Sequence, residues 1–340
     1  MNKEDLMLKD ELLLTLLNSS SSFHSGQDLA SQLSVSRTAV WKALNELEKD
    51  GFLIDRAQSK GYKVARPQDT LHPKWLAYLF KKSKLDIIPY IYKQIDSTNT
   101  EAKRMSQNAE LQGKNYLLVA EGQTAGRGRY GRSFFSPQST GLYLTLSVPI
   151  KDPNLDAGLI TSATAVAVRR AVLDVYGIDL WIKWVNDLYL NNRKVCGILC
   201  EGISNMETGL IDRVFIGIGI NLMDPKDGIP DELKEIMGCL APYQEGKDLK
   251  RTNFLVRLME ELIPLVSNAG QENFLDEYRK HCLLLDQEVC YAQNGKTIVG
   301  KVITINDHGH LILEKKDGDI LELGYGEVTF HDTFTFPNER

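Results

Sequence analysis

Between Glu121 and Arg132 the chain reads Glu-Gly-Gln-Thr-Ala-Gly-Arg-Gly-Arg-Tyr-Gly-Arg, with Gly126, Gly128 and Gly131 interleaved among Arg127, Arg129 and Arg132. Glycine lets a backbone turn sharply and come close to a ligand, and arginine carries a planar, permanently charged fork that matches carboxylate or phosphate. The chemistry open to such a loop is closure over a small anion. The glycines also satisfy G-x-G-x-x-G, the spacing of a dinucleotide-binding turn, but that turn needs a helix to begin within it. Here Ser133-Phe-Phe-Ser-Pro137 follows, and then an alternating stretch over 141–148. We therefore expect a strand after the loop and set the dinucleotide reading aside.

Four further stretches carry groups able to bind or react. Asp96-Ser-Thr-Asn99 puts two hydroxyls and an amide at a strand-to-helix junction, where they can hydrogen-bond a polar, uncharged head group; a plain helix cap would use the same residues. In Trp181-Ile-Lys-Trp-Val-Asn-Asp-Leu-Tyr-Leu190 an apolar strand is interrupted by Lys183, Asn186 and Asp187, which must find partners or face a cavity. Asn191-Asn192 then turns the chain into Arg193-Lys-Val-Cys-Gly-Ile198, so a hairpin returns Lys194 to the same region, as a phosphate ligand or as a surface salt bridge. Gly197 lets a ligand lie flat on the sheet there. Gly217-Ile-Gly-Ile-Asn221 ends another strand with room for a ring and an amide able to read a base edge, or is an ordinary strand terminus.

The elements that must position these groups fall into three segments, 1–66, 74–283 and 284–340. In the first, leucines at helical spacing fill 4–17, Ser25-Gly-Gln-Asp28 opens a second helix with a capping-box pattern, and Ser36 caps a third over 37–50 with Val40, Ala43, Leu44 and Leu47 as its stripe. Residues 53–57 and 61–64 bracket a turn and form a small wing, giving the order of a winged helix-turn-helix. Residues 1–35 hold two basic and five acidic side chains, whereas 36–66 hold seven basic and four acidic, so positive charge gathers on the third helix and wing, where DNA phosphates would lie. Ser36, Arg37, Thr38, Trp41, Lys42 and Lys60 are the candidate DNA contacts. A connection from Arg66 to Pro73 leads to the second segment, mixed in strand and helix, with long helices expected over 157–176 and 253–267. Short strands with turns at 293–295, 307–309 and 316–318 make the third a small SH3-like barrel. The fold class is thus α+β multidomain: an N-terminal winged helix-turn-helix, a central α/β domain with a mixed sheet, and a C-terminal SH3-like β-barrel.

Composition narrows the setting. The net charge of −5 gives no sign of bulk nucleic-acid binding, so any such role must be local. No apolar run reaches the roughly 20 residues that span a bilayer, and the alternating charges of Met1-Asn-Lys-Glu-Asp-Leu6 do not form a secretory signal. Five cysteines without metal-ligand spacing read as reduced thiols of a cytoplasmic protein.

Taken in register, Asp96-Ser-Thr-Asn99, Gln123 with Gly126–Arg132, Lys183-Trp-Val-Asn-Asp187, Arg193–Ile198 and Gly217–Asn221 resemble the biotin–protein ligases, and with the winged helix and terminal barrel the chain resembles their bifunctional, operon-repressing type over essentially its whole length. The resemblance implies formation of biotinyl-5′-adenylate from biotin and MgATP, then transfer to a lysine of the biotin carboxyl carrier protein of acetyl-CoA carboxylase. It implies that Arg127, Arg129 and Lys194 hold the biotin carboxylate and α-phosphate, with Lys194 the main electrostatic catalyst. Ser97, Thr98, Asn99 and Gln123 would bind the ureido head, with Gly126, Gly128 and Gly197 around the ring. Asp187 would assist the incoming lysine. Arg132, Phe134, Lys183, Asn186 and Asn221 would bind the adenylate, with Asn221 reading adenine. Phe134 stands where the family often has tryptophan, which leaves less ring area for adenine, and Val185 stands where many members have proline. Residues 223–230 resemble a second loop that orders over the adenylate. The resemblance also implies repression: an adenylate-bound homodimer on operator DNA, with no membrane partner. Two other readings are a lipoate-type ligase and a metabolite-sensing transcription factor without ligase activity.

Overall fold

The computed structural model describes residues 3–19, 22–65, 69–150, 157–204, 211–267, 273–293 and 296–331. Arg66-Pro-Gln68 of the expected connection and Asn294-Gly295 of the expected turn lie outside them. By packing, the chain divides into two compact units, residues 1–91 with 247–256 and residues 92–246 with 257–340.

The first unit holds α1 (Lys3–Asn18), α2 (Gly26–Gln32), α3 (Arg37–Lys49), β1 (Ile54–Ala57), β2 (Gly61–Val64) and α4 (Pro73–Lys82), and the division falls at the end of β3 (Ile87–Tyr92). Both expected caps form: Ser25 Oγ accepts from the Asp28 N–H at 3.0 Å and Ser36 Oγ from the Ala39 N–H at 3.1 Å, satisfying donors that each first helical turn leaves open. The stripe Val40, Ala43, Leu44 and Leu47 is buried against Leu12, Leu13, Leu16 and Leu29, the apolar contact that sets α3 across α1 and α2. β1 and β2 pair antiparallel from Ile54↔Val64 to Ala57↔Gly61 as the wing. The remaining surface of α3 is polar and open. Ser36, Arg37, Thr38, Trp41, Lys42 and, on the wing turn, Lys60 are all exposed, Trp41 by 51%. Lys49 and Arg56 are instead tied down by Glu46 and Glu48 at 2.6 and 2.8 Å. The available positive charge is therefore narrower than the sequence count suggests.

The second unit holds α5 (Thr98–Met105), β4 (Asn115–Ala120), β5 (Gly141–Pro149), α6 (Ala157–Tyr176), β6 (Trp181–Lys183), β7 (Asp187–Leu190), β8 (Arg193–Ser204), β9 (Ile211–Asn221), most of α7 (Arg251–Ser267), α8 (Phe274–Lys280), β10 (Glu288–Gln293), β11 (Lys296–Ile305), β12 (Leu311–Lys315), β13 (Ile320–Leu323) and β14 (Val328–Phe330). Its main sheet runs β4-β5-β9-β8-β7-β6, antiparallel throughout, with β5 and β9 paired from Gly141↔Asn221 to Pro149↔Arg213. α6 packs on β7 and β8, and α5 on β4, β5 and β9. β13-β12-β11-β10-β14 form a separate antiparallel sheet, and among the described residues its end strands β13 and β14 do not pair with each other, so hydrogen bonding leaves it open. No helix among the described residues is long and apolar enough to cross a membrane.

Candidate active site

One face of the main sheet is notched by glycine. Gly197 of β8 lies opposite Gly219 of β9, and Leu199 opposite Gly217. A Cβ at Gly219 would lie 2.5 Å from the Phe134 ring, one at Gly197 3.1 Å from the same ring, and one at Gly217 2.2 Å from Asn99 Oδ1. None of the three has a positive φ, so space is what requires glycine at these positions. The notch seats an aromatic ring and a buried amide on the sheet, and both line a cleft above it.

The Arg/Gly loop forms one wall. The Phe134 N–H donates to Gly126 O at 2.9 Å and the Gly128 N–H to Arg132 O at 2.7 Å, closing a hairpin tip in which Tyr130 and Gly131 take φ of 56° and 74°. The chain continues into β5, and the loop holds only a three-residue 3-10 turn over Arg129–Gly131, with no α-helix starting in it. Arg127 is exposed at the rim. Arg129 donates to Asn186 Oδ1 at 3.2 Å and Gly326 O at 3.1 Å, and its guanidinium lies 5.1 Å from the Tyr130 ring centre. Arg132 is held by both Glu327 oxygens, at 2.8 and 2.7 Å. Its guanidinium holds the Glu327 carboxyl below the usual glutamate value.

The β7–β8 hairpin forms the second wall, with Lys194 Nζ 2.6 Å from Asp187 Oδ1. Asn186 is fixed by exchanging bonds with Ile198, its Nδ2 donating to Ile198 O at 2.8 Å. Burial lowers the Lys183 pKa, against the pull of Asp187 and Glu327. The third wall is neutral. Ser97 caps α5, and Gln123 Oε1 accepts from the Thr98 N–H at 2.8 Å and hydroxyl at 3.2 Å. Gln123 Nε2 donates to Ser136 Oγ at 3.0 Å, and Thr145 Oγ1 lies 2.9 Å from Thr98 Oγ1 and 2.5 Å from Asn99 Oδ1. Ser97, Thr98 and Gln123 spend part of their hydrogen-bonding capacity inside the protein and line the cleft, with Thr145 and Ser136 behind them.

Most of the residues singled out in the sequence line this cleft: Ser97, Thr98, Asn99, Gln123, Arg127, Gly128, Arg129, Arg132, Phe134, Lys183, Asn186, Asp187, Lys194 and Gly197. Gly126 and Asn221 do not. Gly126 is buried beneath the loop, where a Cβ would meet Phe134 O at 2.5 Å. Asn221 is buried at the end of β9, its Nδ2 donating to Gly238 O at 3.0 Å and its Oδ1 without a hydrogen-bond partner among the described residues. Sequence reasoning missed Tyr130, Gly326, Glu327 and Val328 at the rim and Thr145 and Ser136 behind the wall. The only local signal for the C-terminal group was the glycine-interleaved Gly324-Tyr-Gly-Glu327. The lining carries five cations, Arg127, Arg129, Arg132, Lys183 and Lys194, against Asp187 and Glu327, a positive cleft in a chain of net charge −5. Cations over a glycine floor beside a neutral donor–acceptor wall can hold a small molecule with a polar head and an anionic end, and a phosphate at that end.

Fold and site define an α/β ligase-type domain carried with a helix-turn-helix. Comparison with known proteins agrees: the profile of the biotin/lipoate A/B protein ligase family matches residues 91–221, and a helix-turn-helix profile matches 9–63. The chain is 30% identical over 314 residues to the bifunctional ligase/repressor BirA of Bacillus spizizenii, covering 92% of this chain and 95% of the relative. It is 31% identical over 323 residues to its Escherichia coli counterpart, covering 94% and 96%. The structure is similar to the biotin protein ligase of Aquifex aeolicus in complex with biotin and ATP, with a TM-score of 0.59 and 27% identity over 72% of this chain and 99% of that one. The chain belongs to the biotin–protein ligase family, in its bifunctional ligase/repressor branch.

Proposed function

We infer that the protein activates biotin with ATP and transfers it to a lysine of a biotin carboxyl carrier protein, and that biotinyl-5′-adenylate is also the corepressor through which it represses a biotin operon. The convergence of the five cations with the Ser97–Thr98–Gln123 wall in one cleft carries this reading. A cyclic urea offers two N–H groups and a carbonyl to that wall. A lipoyl dithiolane offers it nothing to bond, and buried polar groups left unpaired are costly, which disfavours lipoate. Biotin's carboxylate then points to Arg127, Arg129 and Lys194. Its oxygen attacks the α-phosphorus, the bond to the bridging oxygen breaks, and pyrophosphate leaves; fixed cations offset the charge that crowds at phosphorus. Phe134, Arg132, Lys183 and Asn186 face the nucleotide.

The Lys194–Asp187 pair links the two half-reactions. Once Lys194 turns to the phosphate, the Asp187 carboxylate is released to accept a proton from the carrier lysine, whose nitrogen attacks the biotinyl carbonyl and expels AMP. Magnesium would come with ATP as the substrate complex and would offset charge on its phosphates. Among the described residues no cluster of three or more His, Cys, Asp or Glu side chains could hold a metal by itself. We place the protein in the cytoplasm because its five cysteines are free.

The test is incubation of the purified protein with ATP, biotin and a carrier domain. One biotin mass added at a single lysine is expected. Biotin binding without mass gain would favour a sensor, and gain with lipoate instead would favour the lipoate reading. For repression, two adenylate-bound subunits pair and set two α3 helices on operator half-sites. Replacing exposed Arg37 and Lys42 by alanine should lower operator affinity about tenfold or more and flatten its salt dependence, with ligation unchanged. Wild-type operator binding by that variant would remove α3 from the interface.

A further inference from the structure

Glu201 lies on β8, two residues past Leu199, the last of that strand to line the cleft, and belongs to none of the motifs described above. Its side chain is 20% exposed. It accepts from Asn99 Nδ2 at 2.9 Å and from Lys103 Nζ at 2.7 Å. Burial alone would raise its pKa, but these bonds hold it below the usual glutamate value, so it stays a carboxylate and can only accept.

That restriction passes along a chain of hydrogen bonds. Asn99 Nδ2 faces two acceptors, Glu201 and Leu199 O at 3.2 Å, so its Oδ1 must face Thr145. The single Thr145 proton goes to Asn99 Oδ1 at 2.5 Å, and toward Thr98 at 2.9 Å Thr145 can then only accept. From the other end the Thr98 N–H fixes Gln123 Oε1 inward, and Gln123 Nε2 meets Ser136, whose proton goes to Phe134 O at 2.9 Å. The Thr98 proton is spent on Thr145 or Gln123 whichever it chooses, and its oxygen turns lone pairs to the cleft. The second Gln123 Nε2 proton and the Ser97 proton remain to donate.

We propose that Glu201 is the positioning residue of the head-group pocket. Accepting from Asn99 and Lys103, it sets the direction of every hydrogen bond from Asn99 through Thr145 to Thr98, so that the wall meets a cyclic urea with an acceptor for its N–H and donors for its carbonyl. This rests on biotin being the substrate. Without the carboxylate only Leu199 O holds the Asn99 amide in this sense; once the amide turns over, the Thr145 proton goes to Thr98 and takes up a lone pair that Thr98 would otherwise turn to a ligand N–H. Glu201 never touches the ligand, and its effect falls on head-group affinity alone.

The full-length chain is assayed by biotin-dependent ATP–pyrophosphate exchange. Glu201→Gln should raise KM for biotin, and equally for desthiobiotin with its intact urea, by about tenfold or more. KM for ATP and kcat should stay within about threefold, whereas a merely structural role would move all of them together. Should that variant not fold, Asn99→Asp supplies the second readout. It sets a carboxylate against Glu201 where the amide now lies 2.9 Å away, so the pair must share a proton and biotin KM should climb as pH rises. Adding Glu201→Gln to Asn99→Asp restores one amide facing one carboxylate and should flatten that profile. An unchanged biotin KM in folded Glu201→Gln, or an Asn99→Asp pH profile parallel to wild type, would overturn the assignment. Absence of biotin-dependent exchange in the wild-type chain would instead overturn the ligase reading beneath it.

Discussion

Lys194→Ala should lower the rate of biotinyl-adenylate formation by about 10²–10³-fold or more, with little loss of folding. Lys194 stands on an edge of the glycine notch with Nζ 2.6 Å from Asp187. In its absence the α-phosphate loses a fixed cation and also faces a carboxylate that has lost its ion-pair partner, so the loss should exceed that of removing a neutral donor. The two half-reactions should separate. When presynthesised biotinyl-adenylate is supplied, Asp187 is already free for the carrier lysine, and transfer should fall far less than adenylation. Lys194→Arg keeps the charge but not the fit, because the Lys194 stem already lies 3.0 Å from where a Cβ of Gly197 would be, and the larger guanidinium must go elsewhere. An intermediate rate is expected. Pyrophosphate exchange at the wild-type rate in Lys194→Ala would end the case for this lysine as the electrostatic catalyst.

The features legible in the sequence were those set by local rules. Ser25 and Ser36 start helices because a short side chain there can reach the open N–H groups of the first turn, and both do. The apolar spacing of α6 and the turns at Asp307–Gly309 and Asp317–Gly318 mark elements where they occur. The hairpin between β7 and β8 follows from Asn191-Asn192, with Asn191 at φ 52°. The Arg/Gly loop was readable as a wall of the cleft because glycine and arginine at that spacing have few other uses.

The partners lying far apart in sequence were not legible. Arg132 and Glu327 are 195 residues apart, and no periodicity links them. Thr145 reads as one more β-branched residue in an alternating strand; that its hydroxyl is fully buried between Thr98 and Asn99 depends on how α5 lies on β5. The family resemblance assigns Phe134 to adenine, but that its ring rests on Gly197 and Gly219 is a property of β8–β9 register. Asn221 shows the reverse case. A strand-end amide suits a ligand, yet here it turns to Gly238, because register with Gly141 puts it past the edge of the notch.

That register gives the other large effect. Gly217→Ala adds one methyl group, in ordinary backbone space, 2.2 Å from Asn99 Oδ1 and 2.8 Å from its Cγ. The amide cannot move aside cheaply: it is 4% exposed and held by Leu199 O, Glu201 and Thr145. It must shift by about 1 Å, and displacement of a binding group on that scale can cost about 10²-fold. Biotin affinity measured by titration should fall accordingly, and the melting temperature should fall with it, since overpacking costs about 1–3 kcal/mol. Gly202→Ala on the same sheet meets only the side chain of Ile211, its Cγ2 at 3.3 Å, and should leave biotin binding unchanged. The two losses can be told apart by trimming the neighbour. Gly217→Ala with Asn99→Ala relieves the clash, so the melting temperature should recover, while biotin binding should not, because Thr145 then has no amide to direct its proton. Recovery of both would mean that Asn99 only fills space, and the head-group wall would have to be ascribed to Thr98 and Gln123 alone.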